Sequence, residues 1–411
     1  MLREDAKEIY TYAINQSLPK QAVSKALESF EPDGKIYLVA IGKASWQMAK
    51  YAYDILKERI TKGIVITKYG HSLGDISNFD IYEAAHPVPD ENTLRATNAV
   101  LNLTNELDER DTVLFLVSGG GSALFESVDC SLDQLQGITS ELLASGASID
   151  EINVIRKHLS NVKGGRFAEH CMPARVYTVL LSDVLGDRLD TIASGPSVPD
   201  ASTVDDVKNI LEKYGISIET EMRKLLSRET PKRINNSTYY IGGSVRELCK
   251  YAMEKARALG YKTELLTDNM SCEASKAGCY LADIAKKNKD TNIPLAFVAG
   301  GETVVKLKGN GKGGRNQEIA LSAAIELQGI DNVAIFSVGS DGTDGPTDAA
   351  GGYADGNTVK ALTQKSVDAH EMLLNNDSYN ALMECDGLIF TGPTGTNVND
   401  VSVILIRPAN I

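Results

Sequence analysis

The chain lacks most of what would commit it to metal, redox or membrane chemistry. Its six cysteines form no CxxC pair, and none lies near a histidine at zinc-finger spacing. They read as reduced thiols, packed mostly in the core. Only five histidines occur in 411 residues, with no Ser–His pairing motif and no histidine cluster, which disfavours zinc and serine-hydrolase chemistry. No apolar run approaches the roughly 20 residues that a membrane span needs. The opening Met1-Leu2-Arg3-Glu4-Asp5 reads as a charged amphipathic helix rather than a signal peptide, so the expected location is cytoplasmic. Positive charge is in deficit: 42 Lys and Arg against 55 Asp and Glu leave a net charge of -13. That balance argues against nonspecific nucleic-acid binding. Any anion site must be a local patch of cations on an acidic body.

What is present is a soluble composition, 43% hydrophobic and 24% charged, in a chain too long for one ordinary core. Two α/β domains are expected, with the boundary in the polar connector Arg228 to Ser237. The division is residues 1–235 and 236–411. Residues 3–30 read as helix. Ile36–Ile41 reads as a buried strand of the parallel type, running into Gly42-Lys43-Ala44-Ser45 and a helix from Trp46. A lysine at such a turn points to the edge of the sheet where open α/β folds bind ligands. It is not a Walker A loop, because Tyr37 stands where the first glycine belongs. The strand Ile81–Ala85 ends in His86-Pro87-Val88-Pro89-Asp90, a rigid loop that places His86 at the strand end.

The run Val113–Val117 breaks into Ser118-Gly119-Gly120-Gly121-Ser122. Three glycines between a strand and a helix form a nest of backbone donors, and a purely structural turn rarely needs three. Residues 132–170 read as helical. Arg156 and Lys163, seven apart, would then share a face, either salt-bridged at the surface or turned toward a ligand. Val176–Leu181 delivers Asp183, with Asp187 and Asp190 close behind. Carboxylates at that end of a strand suit Mg²⁺ binding or proton abstraction from a hydroxyl, and also a plain Asx turn.

The second half is organised around Phe297–Ser322. An apolar run ends in Gly300-Gly301-Glu302, and Thr303–Lys308 reads as a second strand. A glycine-dense loop then carries Lys312 and Arg315 to a helix opening at Asn316-Gln317-Glu318. Glycines and a helix start suit a polyphosphate there. Gly309-x-Gly311-x-x-Gly314 fits the dinucleotide fingerprint, but it follows a polar run rather than a buried strand. Val333–Val338 delivers Asp341 and Asp344, which mirror Asp183 and Asp187 and lack the ligand order of a calcium loop. The chain closes with Thr391–Asp400 and a last strand, Ser402–Ile406.

This inventory fits phosphoryl transfer, which needs backbone donors and cations around phosphates, a supported Mg²⁺ and a group at the acceptor hydroxyl. The chain also resembles a known family, the class II glycerate 2-kinases with a C-terminal MOFRL domain. The matching stretches include IGKAS at 41–45, HPVPDENT at 86–93, LVSGGGSAL at 116–124 and RKHLSNVKGGRFA at 156–168. SDVLGDRLDTIASGP at 182–196, AGGETVV at 299–305 and GKGGRNQE at 311–318 follow, then SDGTDGPTDAAGG at 340–352 and TGPTGTNVND at 391–400.

The resemblance implies two α/β domains, a Rossmann-like N-terminal domain with a parallel sheet and a C-terminal α/β MOFRL-type domain, with the active site in the cleft between them. It implies ATP- and Mg²⁺-dependent phosphorylation of D-glycerate at its 2-hydroxyl. Carried over by position, Lys43 and Arg315 are the expected catalytic cations, neutralising the transferring phosphoryl group and the glycerate carboxylate. Ser118, Gly119, Gly120, Gly121 and Ser122 would hold phosphate or nucleotide, with Arg156, Lys163 and Lys312 as further binding candidates. Asp183 is expected as base or Mg²⁺ support with Asp341 as its competitor, and Glu302 and Asn397 line the site. Family members also carry the label hydroxypyruvate reductase, so an NAD(P)H-dependent reductase is the alternative, and a non-enzymatic sugar-acid sensor is a third reading. Monomer and homodimer both remain open.

Overall fold

The computed structural model describes residues 1–408. It divides into two compact units, Ala22–Gly242 and Met1–Gln21 with Gly243–Ile411. The sequence places residues 1–235 in one domain; the structure instead assigns the first helix to the other unit. The expected helix over 3–30 is in fact two, Leu2–Gln16 and Pro19–Leu27. Proline has no N–H to donate and is tolerated only in a helix's first turn, so Pro19 starts a new helix rather than continuing the old one.

The unit Ala22–Gly242 holds β1 (Ile36–Ile41), β2 (Ile60–Lys68), β3 (Phe79–Ala84), β4 (Thr112–Val117), β5 (Arg175–Leu181) and β6 (Ser237–Gly243). Their order is β3-β2-β1-β4-β5-β6, and the pairs β1–β2, β2–β3, β1–β4 and β4–β5 are parallel. Val39, Ile41, Phe115 and Val117 feed one core, while Leu38, Ala40, Leu114 and Leu116 feed the other. Burial on both faces is why β1 and β4 read as unbroken apolar runs. The chain leaves β1 to one side for β2 and returns on the other for β4. The turns after β1 and β4 therefore open side by side at the switch point, where α/β sheets take ligands.

Residues 132–170 are three helices, Leu132–Ala144, Ile149–Leu159 and Arg166–His170. Gly164 and Gly165 adopt positive φ, +57° and +88°, and break the pattern. Arg156 and Lys163 consequently share no helix face. The first two of these helices pack with Val204–Tyr214 and Thr220–Leu226 around Leu142, Ile155, Val207 and Met222, a small helical core of its own.

The other unit holds β7 (Lys262–Met270), β8 (Leu295–Gly301), β9 (Val333–Gly339), β10 (Gly351–Asp355), β11 (Leu388–Ile389) and β12 (Asp400–Ile406), in the order β11-β10-β9-β12-β8-β7. Only β7–β8 is parallel; the other pairs are antiparallel. The strand expected over Thr303–Lys308 does not form. Only Val304 makes an isolated bridge, and Val304 and Leu307 stay 58% and 79% exposed, with no sheet face to bury them. Strand β10 has no sequence signal because it opens with Gly351-Gly352. A Cβ on Gly351 would meet the Ser337 carbonyl oxygen at 2.0 Å, and one on Gly352 would meet Ala320 Cβ at 2.7 Å. Close packing, not turning, is what these glycines serve.

Helix Leu2–Gln16 buries Ile9, Ala13 and Ile14, and Tyr10 meets the Phe336 ring of β9 edge-on at 5.8 Å. Asp5 accepts hydrogen bonds from Tyr261 Oη at 2.5 Å and from Arg407 Nη2 at 2.9 Å. Ile9 is fully buried. Ile9→Ala should destabilise this unit by about 2–5 kcal/mol. Amide exchange in β9 and β12 should speed up accordingly; unchanged exchange would place the helix outside that core.

Candidate active site

The turn after β1 and the glycine loop after β4 are locked together. Gly42 has φ +112°, and a Cβ there would meet Ser118 Oγ at 2.3 Å. Lys43 N–H donates to the Gly119 carbonyl at 2.9 Å, and Ala44 N–H donates to Ser118 Oγ at 3.1 Å. Each glycine of the loop has a different neighbour. A Cβ on Gly119 would lie 2.4 Å from Asp183 Oδ2. One on Gly120, at φ +86°, would lie 3.1 Å from His86 Nε2 and 3.4 Å from Lys43 Cε. One on Gly121 would lie 2.8 Å from Ala193 Cβ. The loop thus gathers Lys43, His86 and Asp183 from three strand ends. The N–H groups of Gly119 and Gly120 meet no acceptor among the described residues. Backbone donors left open beside a lysine suit a phosphate.

Behind the loop, Arg156 Nη2 donates to the Ser122 carbonyl at 3.1 Å, and Ser122 Oγ lies 3.0 Å from Ser194 Oγ. Arg156 therefore supports the loop from one side. Lys163 departs from its expected role. It is fully buried, and its Nζ donates to Glu126 Oε2 at 2.6 Å and to the Phe125 carbonyl at 2.8 Å. Glu126 is equally buried and also accepts from Ser160 Oγ and Ser127 N–H. Burial lowers the Lys163 ammonium to about 8 despite the opposing pull of Glu126. Its place is an internal ion pair, out of reach of any ligand.

In the other unit, the ends of β8, β9 and β12 form one sheet edge, with Asp400 paired to both Gly301 and Gly339. Arg315 opens the helix Arg315–Glu326. Its Nε and Nη2 donate to Asp400 at 2.5 and 3.0 Å, and its Nη1 donates to Glu302 at 2.9 Å. One N–H on each Nη remains available. Asp341 Oδ1 and Asp400 Oδ1 both lie 3.4 Å from the point a Cβ of Gly339 would occupy. Asp341 Oδ1 also accepts from Thr343 N–H at 3.0 Å in an Asx turn, the plain reading weighed above for the Asp183 cluster. Asn397 is exposed and its Oδ1 accepts from Asn399 N–H at 3.3 Å.

The expected anion site at this helix start is already taken. Buried Asp344 accepts from the N–H groups of Asn316 at 3.2 Å and Gln317 at 2.9 Å, so a carboxylate of the chain fills the place of a phosphate. Burial raises its pKa. The dinucleotide-like glycines are likewise engaged. Asn376 Oδ1 accepts from the N–H of Lys308 and Gly309, and Asp377 Oδ1 accepts from that of Lys312. Lys312 Nζ lies 4.0 Å over the Tyr379 ring. With no strand before them and the N–H groups of Gly309 and Gly311 already donating to Asn376 and Asn375, these glycines do not form a pyrophosphate cradle.

No group of three or more His, Cys, Asp or Glu placed to hold a metal ion occurs among the described residues. Mg²⁺ in phosphoryl transfer takes one or two carboxylates and fills the rest with waters and phosphate oxygens. Asp183, a single carboxylate against the glycine loop, fits that donor set. Asp341 offers one oxygen beyond its own turn. Asp344, paired with Asp341 in the sequence reading, and Asp400, which that reading did not single out, are the two buried acids around Arg315. The signal for Asp400 was its position directly before an apolar strand.

Comparison with known proteins gives a consistent result. Residues 5–227 match a family described as a domain of unknown function, DUF4147, and residues 295–400 match the MOFRL family. The chain is 53% identical to a D-glycerate 2-kinase of Thermotoga maritima, covering 98% of each chain. It is 36% identical to a putative hydroxypyruvate reductase of Agrobacterium vitis, covering 98% of this chain and 94% of that one. The crystal structure of a glycerate kinase from Thermotoga maritima superposes with a TM-score of 0.95 at 52% identity, over 99% of each chain.

Burial raises the Asp400 carboxyl to about 6, against the pull of Arg315. A group raised in the folded state binds its proton there first. Its contribution to stability is therefore full below the unfolded value near 3.8 and is lost as pH rises through about 6. Carbon-13 NMR of the Asp400 side chain should show a midpoint near 6. A midpoint at or below the ordinary carboxylate range would mean that the Arg315 ion pair outweighs burial.

Proposed function

The chain belongs to the class II glycerate kinase family, and on that premise we propose that it transfers a phosphoryl group from ATP to the 2-hydroxyl of D-glycerate, giving 2-phospho-D-glycerate and ADP. The observation that carries this reading is the glycine loop: open N–H donors at Gly119 and Gly120, with Lys43 and Asp183 against the same backbone. Phosphoryl transfer is catalysed mostly by positioning and charge neutralisation, and those are what such a loop supplies.

In this reading the Gly119 and Gly120 N–H groups orient phosphate oxygens, and the Lys43 ammonium offsets charge on the group in transfer. Ser118 and Ser122 hold the loop's shape, with Arg156 behind it. Asp183 accepts the proton that leaves the attacking hydroxyl, a role that asks little basicity in a loose transition state. Arg315 directs its remaining N–H groups at an anionic oxygen, held in place by Asp400 and Glu302. Asp183 or Asp341 would hold Mg²⁺, which when bound would supply charge neutralisation at the phosphates. Asn397 and Lys312 take no assigned step. The glycine run at 309–314 offers the reductase reading no nucleotide cradle, and that reading keeps only the name given to the Agrobacterium vitis relative.

Phosphorus NMR of the protein with ATP, Mg²⁺ and D-glycerate should show 2-phosphoglycerate. A 3-phosphoglycerate signal would keep the kinase and overturn the regiochemistry, whereas NADH consumption with hydroxypyruvate and no phosphoester would restore the reductase. Lys43→Ala should cut turnover by more than about tenfold with little change in melting temperature. Arg315→Ala should cut turnover as far and also lower the melting temperature, because it strands the buried Asp400 carboxylate. Adding Asp400→Asn should recover the stability without the activity. Normal turnover in either single variant would remove that residue from the site.

A further inference from the structure

His86 has no part in the roles assigned above, yet it sits on the same backbone. It follows β3, precedes a cis peptide bond to Pro87 and is half-buried. Its ring edge packs on Gly120: Cδ2 and Nε2 lie 3.0 and 3.1 Å from the point a Cβ would occupy, beside Lys43 Cε at 3.4 Å. Neither the imidazole nor the Lys43 ammonium has a hydrogen-bond or ion-pair partner among the described residues. A half-buried ring nitrogen without a partner gives up hydrogen-bond energy that a ligand can return.

The neighbours that shift the ring's titration are cationic or imidazole groups, with Asp183 and Glu83 as the acids nearby. Burial comes first, and then the neighbouring Lys43, Lys68 and His71 lower its pKa below the ordinary 6.5, so it is neutral in the empty site. The Lys43 carbonyl accepts from His71 Nδ1–H at 3.1 Å, which fixes His71 beside the same turn. Asp183 is one residue along the loop, against Gly119. A neutral imidazole among cations at the mouth of a donor loop is arranged to gain a proton when a strong anion arrives.

We propose that His86 is a second phosphate-binding residue of this site, paired with Lys43 across Gly120, and that it becomes a cation when the phosphates of ATP are bound. The proposal rests on the kinase reading and extends it. Phosphate oxygens would take the Nε2–H donor, and their charge would offset that of Lys43 and Lys68, which together with burial lowers the ring's proton affinity beforehand. Binding ATP then takes up a proton, and affinity for ATP weakens as pH rises past the midpoint of the complex.

The test is proton–nitrogen NMR titration of the His86 ring, assigned by its loss in His86→Gln, with and without ATP and with D-glycerate alone. ATP should raise the midpoint by about one unit, which is tenfold in proton affinity. D-glycerate alone should leave it in place. His86→Gln keeps a neutral donor but cannot be charged. Its KM for ATP should rise several-fold near pH 6, the difference should shrink toward pH 8, and kcat and melting temperature should change little. A midpoint unmoved by ATP, or moved by glycerate alone, overturns the proposal while product formation in the same sample leaves the kinase standing. A wild-type sample that forms no phosphoglycerate of either kind overturns the kinase reading and this proposal with it.

Discussion

A Cβ on Gly119, Gly120 or Gly121 would fall within about 3 Å of Asp183, His86 or Ala193 respectively, closer than side chains approach one another. That steric constraint organises the candidate site. Bare backbone at three successive positions lets side chains from the ends of β1, β3 and β5 close over the end of β4. It also leaves the Gly119 and Gly120 N–H groups without an acceptor among the described residues. Gly42 repeats the device on the neighbouring turn, where Ser118 fills the space a Cβ would need. Lys43 owes its position to the same lock, through its N–H bond to the Gly119 carbonyl.

The edge at Arg315 works by charge rather than by shape. Three acids surround one guanidinium: Asp400 and Glu302 bind it, and Asp344 adds its field from the helix start. These neighbours hold Arg315 charged and fixed, and they leave one N–H on each terminal nitrogen. The desolvation of Asp400 is tolerated because its partner is a fork of matching geometry. Lys163 and Glu126 follow the same logic inside the other unit. Their ion pair, with Ser160 and Ser127 satisfying the remaining oxygen, anchors the chain directly after the glycine loop. A buried pair of this kind confers position more than stability.

Strands β1 and β4 announced themselves in the sequence, because a strand buried on both faces leaves no polar position to blur the pattern. So did the glycine loop and the lysine turn, whose residue types have few other uses. Local patterning determined these, along with the two-unit α/β class and the acidic surface. Where a position depends on a partner remote in the chain, the sequence was silent or misleading. Thr303–Lys308 alternates like a strand and finds no neighbour, while Gly351–Asp355 carries no strand pattern and is paired on both sides. Gly309 to Gly314 resembles a cradle, but Asn376 and Asp377 occupy its donors. Arg156 and Lys163 share a period but no helix. The first helix joins a sheet built more than two hundred residues later. Residue chemistry fixed which groups were capable of meeting a phosphate; only tertiary packing decided which remain unpartnered to do so, since burial and pairing are properties of neighbours brought together by the fold.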